Sequence, residues 1–152
     1  MEAIPQVEYT MRVIIAGSRH LTRLDYPLLE RAMYNVQKKQ GWVITEVVCG
    51  EALGGDTLGK RWAKAQGIPW KPFKPDWGDD PDNPNTEAGH IRNEQMAVYT
   101  SSELNAKGRK IQGGVVAVWD GFSFGTKDMI ARAKVHKLVT YIASTGGRSA
   151  KR

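Results

Sequence analysis

Short unbroken apolar runs alternate along the chain with stretches whose apolar residues recur at helical spacing. Val13-Ile14-Ile15-Ala16 is continuous, the pattern of a strand covered on both faces. It ends at Gly17-Ser18-Arg19. Leu28, Leu29, Ala32, Met33 and Val36 then predict a helix, with Gln40-Gly41 as its stop. Val43 to Cys49 reads as a second strand ended by Gly50. A second helix is expected from about Asp56, with Leu58, Trp62 and Ala65 on one stripe and Gly67 as its stop. Ile68 to Phe73 reads as a short third strand, and Pro69 and Pro72 put it near a sheet edge. Residues 74–89 form the longest loop. A helix from about His90 to Glu103 carries a weak stripe of Ile91, Met96 and Val98. Val115 to Trp119 is the clearest buried strand. After the turn Asp120 to Gly125 comes a helix with Met129, Ile130 and Ala133 inward, then a last strand from Leu138 to Ile142.

Strict alternation of strand and helix predicts an α/β, Rossmann-like single domain. Its five-stranded, mainly parallel sheet has right-handed crossovers and helices on both faces. The domain is expected over residues 11–143, after a loosely ordered extension (1–10) and before a flexible basic tail (144–152). The chain has 152 residues, 41% hydrophobic and 25% charged, ordinary values for a protein that buries a core. No run approaches the roughly 18 apolar residues of a membrane span, so no membrane partner is expected. Met1 to Pro5 lacks the pattern of a signal peptide. Cys49 is the single cysteine, which excludes an internal disulfide and a cysteine-cluster metal site and suits a reducing cytoplasm. Neither a metal nor a cofactor is expected. The formal charge is +6, and Arg148, Lys151 and Arg152 supply half of that excess. A solvated terminus is the commoner reason for such a tail, contact with nucleic acid the rarer one.

In an open parallel sheet the strand-to-helix loops share the carboxyl edge, where ligands bind at the switch point of strand order. Three of these loops carry glycine plus a hydroxyl or a charge: Gly17 to Arg19, Gly50 to Asp56, and Asp120 to Lys127. Glycine lets backbone approach a ligand, and the helix that follows offers unpaired N–H groups to an anion. Ser123 and Thr126, with Lys127, read either as a phosphate cradle or as helix caps. Asp56 reads either as an N-cap or as an acceptor for a ribose or base. Arg19 and Arg92 suit bidentate contact with phosphate or carboxylate, the alternative being a solvated surface. Glu51 and Asp56 are the candidate acids should the site be catalytic. His90 reads as a polar helix-start residue, and Cys49 as packing. The loop around Trp77 is either a lid or a proline-rich surface connection.

Several motifs occur together and in one order. They are Gly17-Ser18-Arg19, the Gly50-x-Ala52-x-Gly54-x-Asp56 turn with Trp62-Ala63, Asp76-Trp77, Ala88-Gly89-His90-Ile91-Arg92-Asn93 with Met96, and Ser123-x-Gly125-Thr126-x-Asp128-Met129-Ile130. The combination resembles the YspA/YpsA-like branch of the SLOG superfamily, over roughly residues 11–142. That superfamily also holds the DprA/Smf proteins and the LOG phosphoribohydrolases. The resemblance implies a Rossmann-like domain that senses or processes nucleotides or nucleotide-derived molecules. It carries over Gly17, Ser18, Arg19, Gly54, Asp56, Arg92, Asn93, Gly125 and Thr126 as ligand contacts. Glu51 departs from the pattern, standing where a small residue is usual. Met129 falls where the LOG enzymes have the glutamate of Pro-Gly-Gly-x-Gly-Thr-x-x-Glu, and a thioether can neither take nor give a proton. Asp128, one residue away, is turned by about 100° on a helix.

The leading expectation is therefore a protein that senses or sequesters a nucleotide or ADP-ribose-like ligand, as a homo-oligomer. The alternatives are a nucleoside-phosphate N-glycosidase using Glu51 or Asp56, and single-stranded nucleic-acid binding.

Overall fold

The computed structural model describes residues 9–51 and 54–146. Of the expected extension (1–10) and tail (144–152), residues 1–8 and 147–152 lie outside the described residues, whereas Tyr9 and Thr10 belong to the first strand and Ser144 to the last. Five strands, β1 (Tyr9–Gly17), β2 (Trp42–Gly50), β3 (Trp70–Phe73), β4 (Gly114–Trp119) and β5 (Val139–Ser144), alternate with four helices. The helices are α1 (Tyr26–Lys38), α2 (Gly55–Gln66), α3 (Ala88–Ser101) and α4 (Phe124–Val135). The sheet order is β3-β2-β1-β4-β5, and every neighbouring pair is parallel. The fold is thus the Rossmann-like α/β arrangement.

Alternating side chains of β1 feed two separate cores, because successive residues of a strand point to opposite faces. Met11, Val13 and Ile15 pack with Leu29, Met33 and Val36 of α1 and Leu58 and Trp62 of α2. Ile14 and Ala16 pack with Met96 and Ala97 of α3 and Met129 and Ala133 of α4. Helices on both faces explain why β1 and β4 read as unbroken apolar runs. At the sheet edge, β3 leaves its one proline, Pro72, exposed, where a missing N–H costs no ladder bond. No helix among the described residues is long and apolar enough to cross a membrane.

Helical periodicity misassigned two inward faces. On α3, Ile91 and Val98 are exposed, whereas Ala88, Asn93, Met96, Ala97 and Thr100 are buried. The inward face mixes small and polar residues, so the apolar residues alone trace the wrong stripe. On α2, Ala65 is exposed and Ala63 takes its place in the core. Gly59 lies there too, since a Cβ at that position would stand 2.7 Å from Ile15.

The start of α2 presses against the end of β1. A Cβ at Gly55 would overlap the backbone of Gly17, and Gly54 before it adopts φ +79°. Substituting Gly55 by Ala is expected to cost about 3 kcal/mol. Urea unfolding would register this as a lower midpoint at unchanged slope.

Candidate functional site

In this strand order β1-α1-β2-α2-β3 advances toward one edge, and α3 then returns the chain to the far side of β1. The switch point therefore lies between the carboxyl ends of β1 and β4, where the connecting helices leave to opposite faces. Ser18 holds those ends together. Its N–H donates to the Val118 carbonyl (3.1 Å), its carbonyl accepts from the N–H groups of Leu21 (3.2 Å) and Gly55 (3.3 Å), and its hydroxyl accepts from the Asp120 N–H (3.2 Å).

Asp120 organises the turn into α4. Its carboxylate accepts from the N–H groups of Phe122 and Ser123 and from the Ser123 hydroxyl, each at 2.8 Å. Burial works against its ionisation. The N–H groups of Ser123 and Phe122 and the hydroxyls of Ser123 and Ser18 outweigh that and hold the carboxyl below its ordinary range. Ser123 is the N-cap residue of α4 by position, yet its side chain makes no cap bond because Asp120 takes it. The first helical bond runs from the Lys127 N–H to the Ser123 carbonyl. The preceding N–H groups of Phe124, Gly125 and Thr126 are those that a helix start leaves without an intrahelical partner.

A second cluster lies across the edge. Arg92 extends over the end of β2, where a Cβ at Gly50 would overlap its guanidinium. One Arg92 nitrogen lies 3.7 Å from Asp56, Nε donates to the Asn93 side-chain oxygen (3.0 Å), and Nη1 is buried without a hydrogen bond. Asn93 is oriented in turn, since its amide donates to Asp128 (2.9 Å) and to the Gly125 carbonyl (3.3 Å). Arg132 bonds both Asp128 (2.9 Å) and Glu94 (3.3 Å), and His136 lies 2.7 Å from Glu94. Asp56 occupies the first turn of α2, but the N-cap position belongs to Gly54.

Both clusters open onto one cavity of about 400 Å³. Of the residues singled out by sequence, Gly17, Arg19, Glu51, Asp56, Arg92, Asn93, Ser123, Gly125 and Thr126 line it. Ser18 is buried behind it as a strut, Gly54 sits behind it against the Ser18 carbonyl, and Lys127 is exposed outside the lining. His20, Thr86, Trp77, His90 and Phe124 also line it. Their participation depends on chain segments distant in sequence. The loop at 74–89 supplies Pro75, Trp77 and Thr86 to the wall. Asp120 was legible in principle, because Asp-Gly after a buried strand signals a turn fastened by the aspartate. Cys49 is buried, and burial, with Asp56 adding to it, pushes its thiol up to about 11. That suits packing and disfavours a thiolate.

Residues 11–79 match the family described as YspA, cpYpsA-related SLOG, YAcAr. No curated protein and no solved structure matches the chain. The family match suggests a nucleotide-related function, and its span covers the loops after β1 and β2 and ends before α3.

Because the folded-state pKa of Asp120 lies below its unfolded value, its network stabilises the protein at neutral pH, and that contribution fades as pH falls through the carboxylate range. Asp120→Asn is expected to lose about 1.5–3 kcal/mol at pH 7. In urea titrations at stepped pH, its deficit relative to wild type should shrink below about pH 4.

Proposed function

We propose that the cavity binds a nucleotide or nucleotide-derived, ADP-ribose-like ligand and that the protein senses or sequesters it. The observation that carries this reading is the convergence of Arg19, Asp56, Arg92, Gly125 and Thr126 on one cavity at the switch point of the sheet. Its volume falls within the range of small-molecule sites. The phosphate rests on the N–H groups that open α4, a position favoured by unpaired donors and the helix dipole. Arg19 and Arg92 complete its charge, and the planar guanidinium of Arg19 matches phosphate oxygens two at a time. Asp56 lines the cavity as an acceptor for ribose hydroxyls, as the acidic residue of a dinucleotide-binding fold does. Asn93 acts through Arg92, since its side-chain oxygen and amide are both engaged within the protein. The match of residues 11–79 to a SLOG family supports the same class of ligand.

Hydrolysis of the base–ribose bond is the second reading, and Glu51 and Asp56 on the same cavity wall favour it. Against LOG-type chemistry stands Met129, buried at the cavity where that family's motif has its glutamate. Incubation with nucleoside monophosphates is expected to leave them intact on chromatography. Release of free base, abolished in Glu51→Gln, would replace binding by catalysis as the conclusion.

Adenine nucleotides are expected to raise the melting temperature of wild type. Free ligand at about 100 times Kd contributes about 2.7 kcal/mol, a rise of several degrees. Thr126→Ala should reduce that response. A Cβ at Gly125 meets no atom within 4 Å, so Gly125→Ala is expected to keep the stability of the unliganded protein while weakening the nucleotide response. A panel of nucleotides that leaves wild type unshifted would remove the proposal.

A further inference from the structure

The charged lining accounts for the phosphate and sugar of a ligand and leaves two aromatic walls of the same cavity, Trp77 and Phe124, without a role. Trp77 belongs to the long loop, but its backbone is fastened on both sides. Its carbonyl accepts from the Asn85 N–H (2.8 Å), and the carboxylate of Asp76 accepts from the Gly78 N–H (3.0 Å). The indole ring reaches α3, where a Cβ at Gly89 would stand 3.9 Å from it. So held, Trp77 remains 42% exposed. Phe124 is the first residue of α4 and 81% exposed, while Met129, Ile130 and Ala133 of the same helix are buried. Its backbone is equally fixed, because the preceding Ser123 is bonded to Asp120 and its carbonyl accepts from the Trp119 indole N–H (3.1 Å).

A single exposed aromatic is ordinary. Two that border one polar cavity on anchored backbone, beside cations and carboxylates, form a surface of mixed chemistry. Such a surface suits a ligand with a flat π-face at one end and an anion at the other. Resting on the nucleotide reading above, we propose that Trp77 and Phe124 form the subsite for the heterocyclic base. The cavity then selects nucleotides that keep their base over sugar phosphates that lack one. An aromatic face accepts any base by stacking, so this subsite discriminates presence of a base more than its identity.

Isothermal titration of the full chain with AMP and with ribose 5-phosphate tests this. Wild type is expected to bind AMP at least about tenfold more tightly than ribose 5-phosphate, a typical effect of one base stack. Trp77→Ala and Phe124→Ala should each weaken AMP binding by about tenfold and leave ribose 5-phosphate within about twofold. Trp77→Phe, which keeps a ring, should restore most of the AMP affinity. Equal wild-type affinities for the two ligands, or equal losses of both in the alanine variants, would overturn the base subsite while sparing the phosphate site. Binding of neither ligand by wild type would defeat the nucleotide reading and this one with it.

Discussion

The contact on which the site depends is the one between Ser18 and Asp120. At a switch point the two central strands stay paired to their carboxyl ends, but the turns that follow send their chains to opposite faces of the sheet and so diverge. A ligand crevice needs that opening, yet it also needs the two turns at a fixed separation. Ser18 supplies this through its N–H, carbonyl and hydroxyl, which reach β4, α2 and the Asp120 backbone. Asp120 continues the chain of bonds into the first turn of α4. Both residues are buried, so these bonds are made away from competing water. The start of α4 is thus set by the position of β1, although more than a hundred residues lie between them in sequence.

The same dependence explains why sequence revealed the sheet better than the site. Strands β1 and β4 declare themselves because they are apolar on both faces, a property of the residues alone. The glycines before α2 and α4 likewise mark backbone that must turn or approach closely. Helix α3 conceals its orientation because its inward face carries Asn93 and Thr100, and its outward face carries Ile91 and Val98. Polarity there follows the network that Asn93 serves, and that network reaches Asp128 on another helix. His20 enters the cavity from the turn after β1 and His90 from the first turn of α3, and nothing local distinguishes them from surface histidines. Cap chemistry misleads for a related reason: Ser123 stands at the cap position, but a nearby carboxylate competes for its hydroxyl and wins.

Electrostatics at the other side of the cavity follow from how Arg92 is held. A buried guanidinium is stable only when its donors are met. Gly50 gives it room, Asn93 binds Nε, and Asp56 stands close enough for ion pairing but beyond hydrogen-bond distance of the buried Nη1. The Asn93 amide cannot rotate to offer more, because Asp128 and the Gly125 carbonyl both require its donor side. Hydrogen bonds from His136 and Arg132, acting against burial, in turn hold Glu94 below the usual carboxylate range. The α3–α4 contact is therefore built from hydrogen bonds and ion pairs that hold Glu94 and Asp128 in place.

That arrangement leaves Arg92 with a fixed direction and incomplete bonding. An unmade hydrogen bond at a buried polar group costs about 1–3 kcal/mol, and more where the group is charged. The site carries that cost in place: Arg92 Nη1 is enclosed between the Gly50 backbone and Asp56, so the guanidinium is positioned by packing and by Asn93 and not by saturation of all its donors. On the proposed reading, Asp56 limits which anions the cavity accepts. Its carboxylate repels a second negative charge placed beside it, so the proposed phosphate belongs on the α4 side of the cavity, with a neutral hydroxyl toward Asp56. In the proposed reading a phosphate followed by a sugar meets both demands in that order.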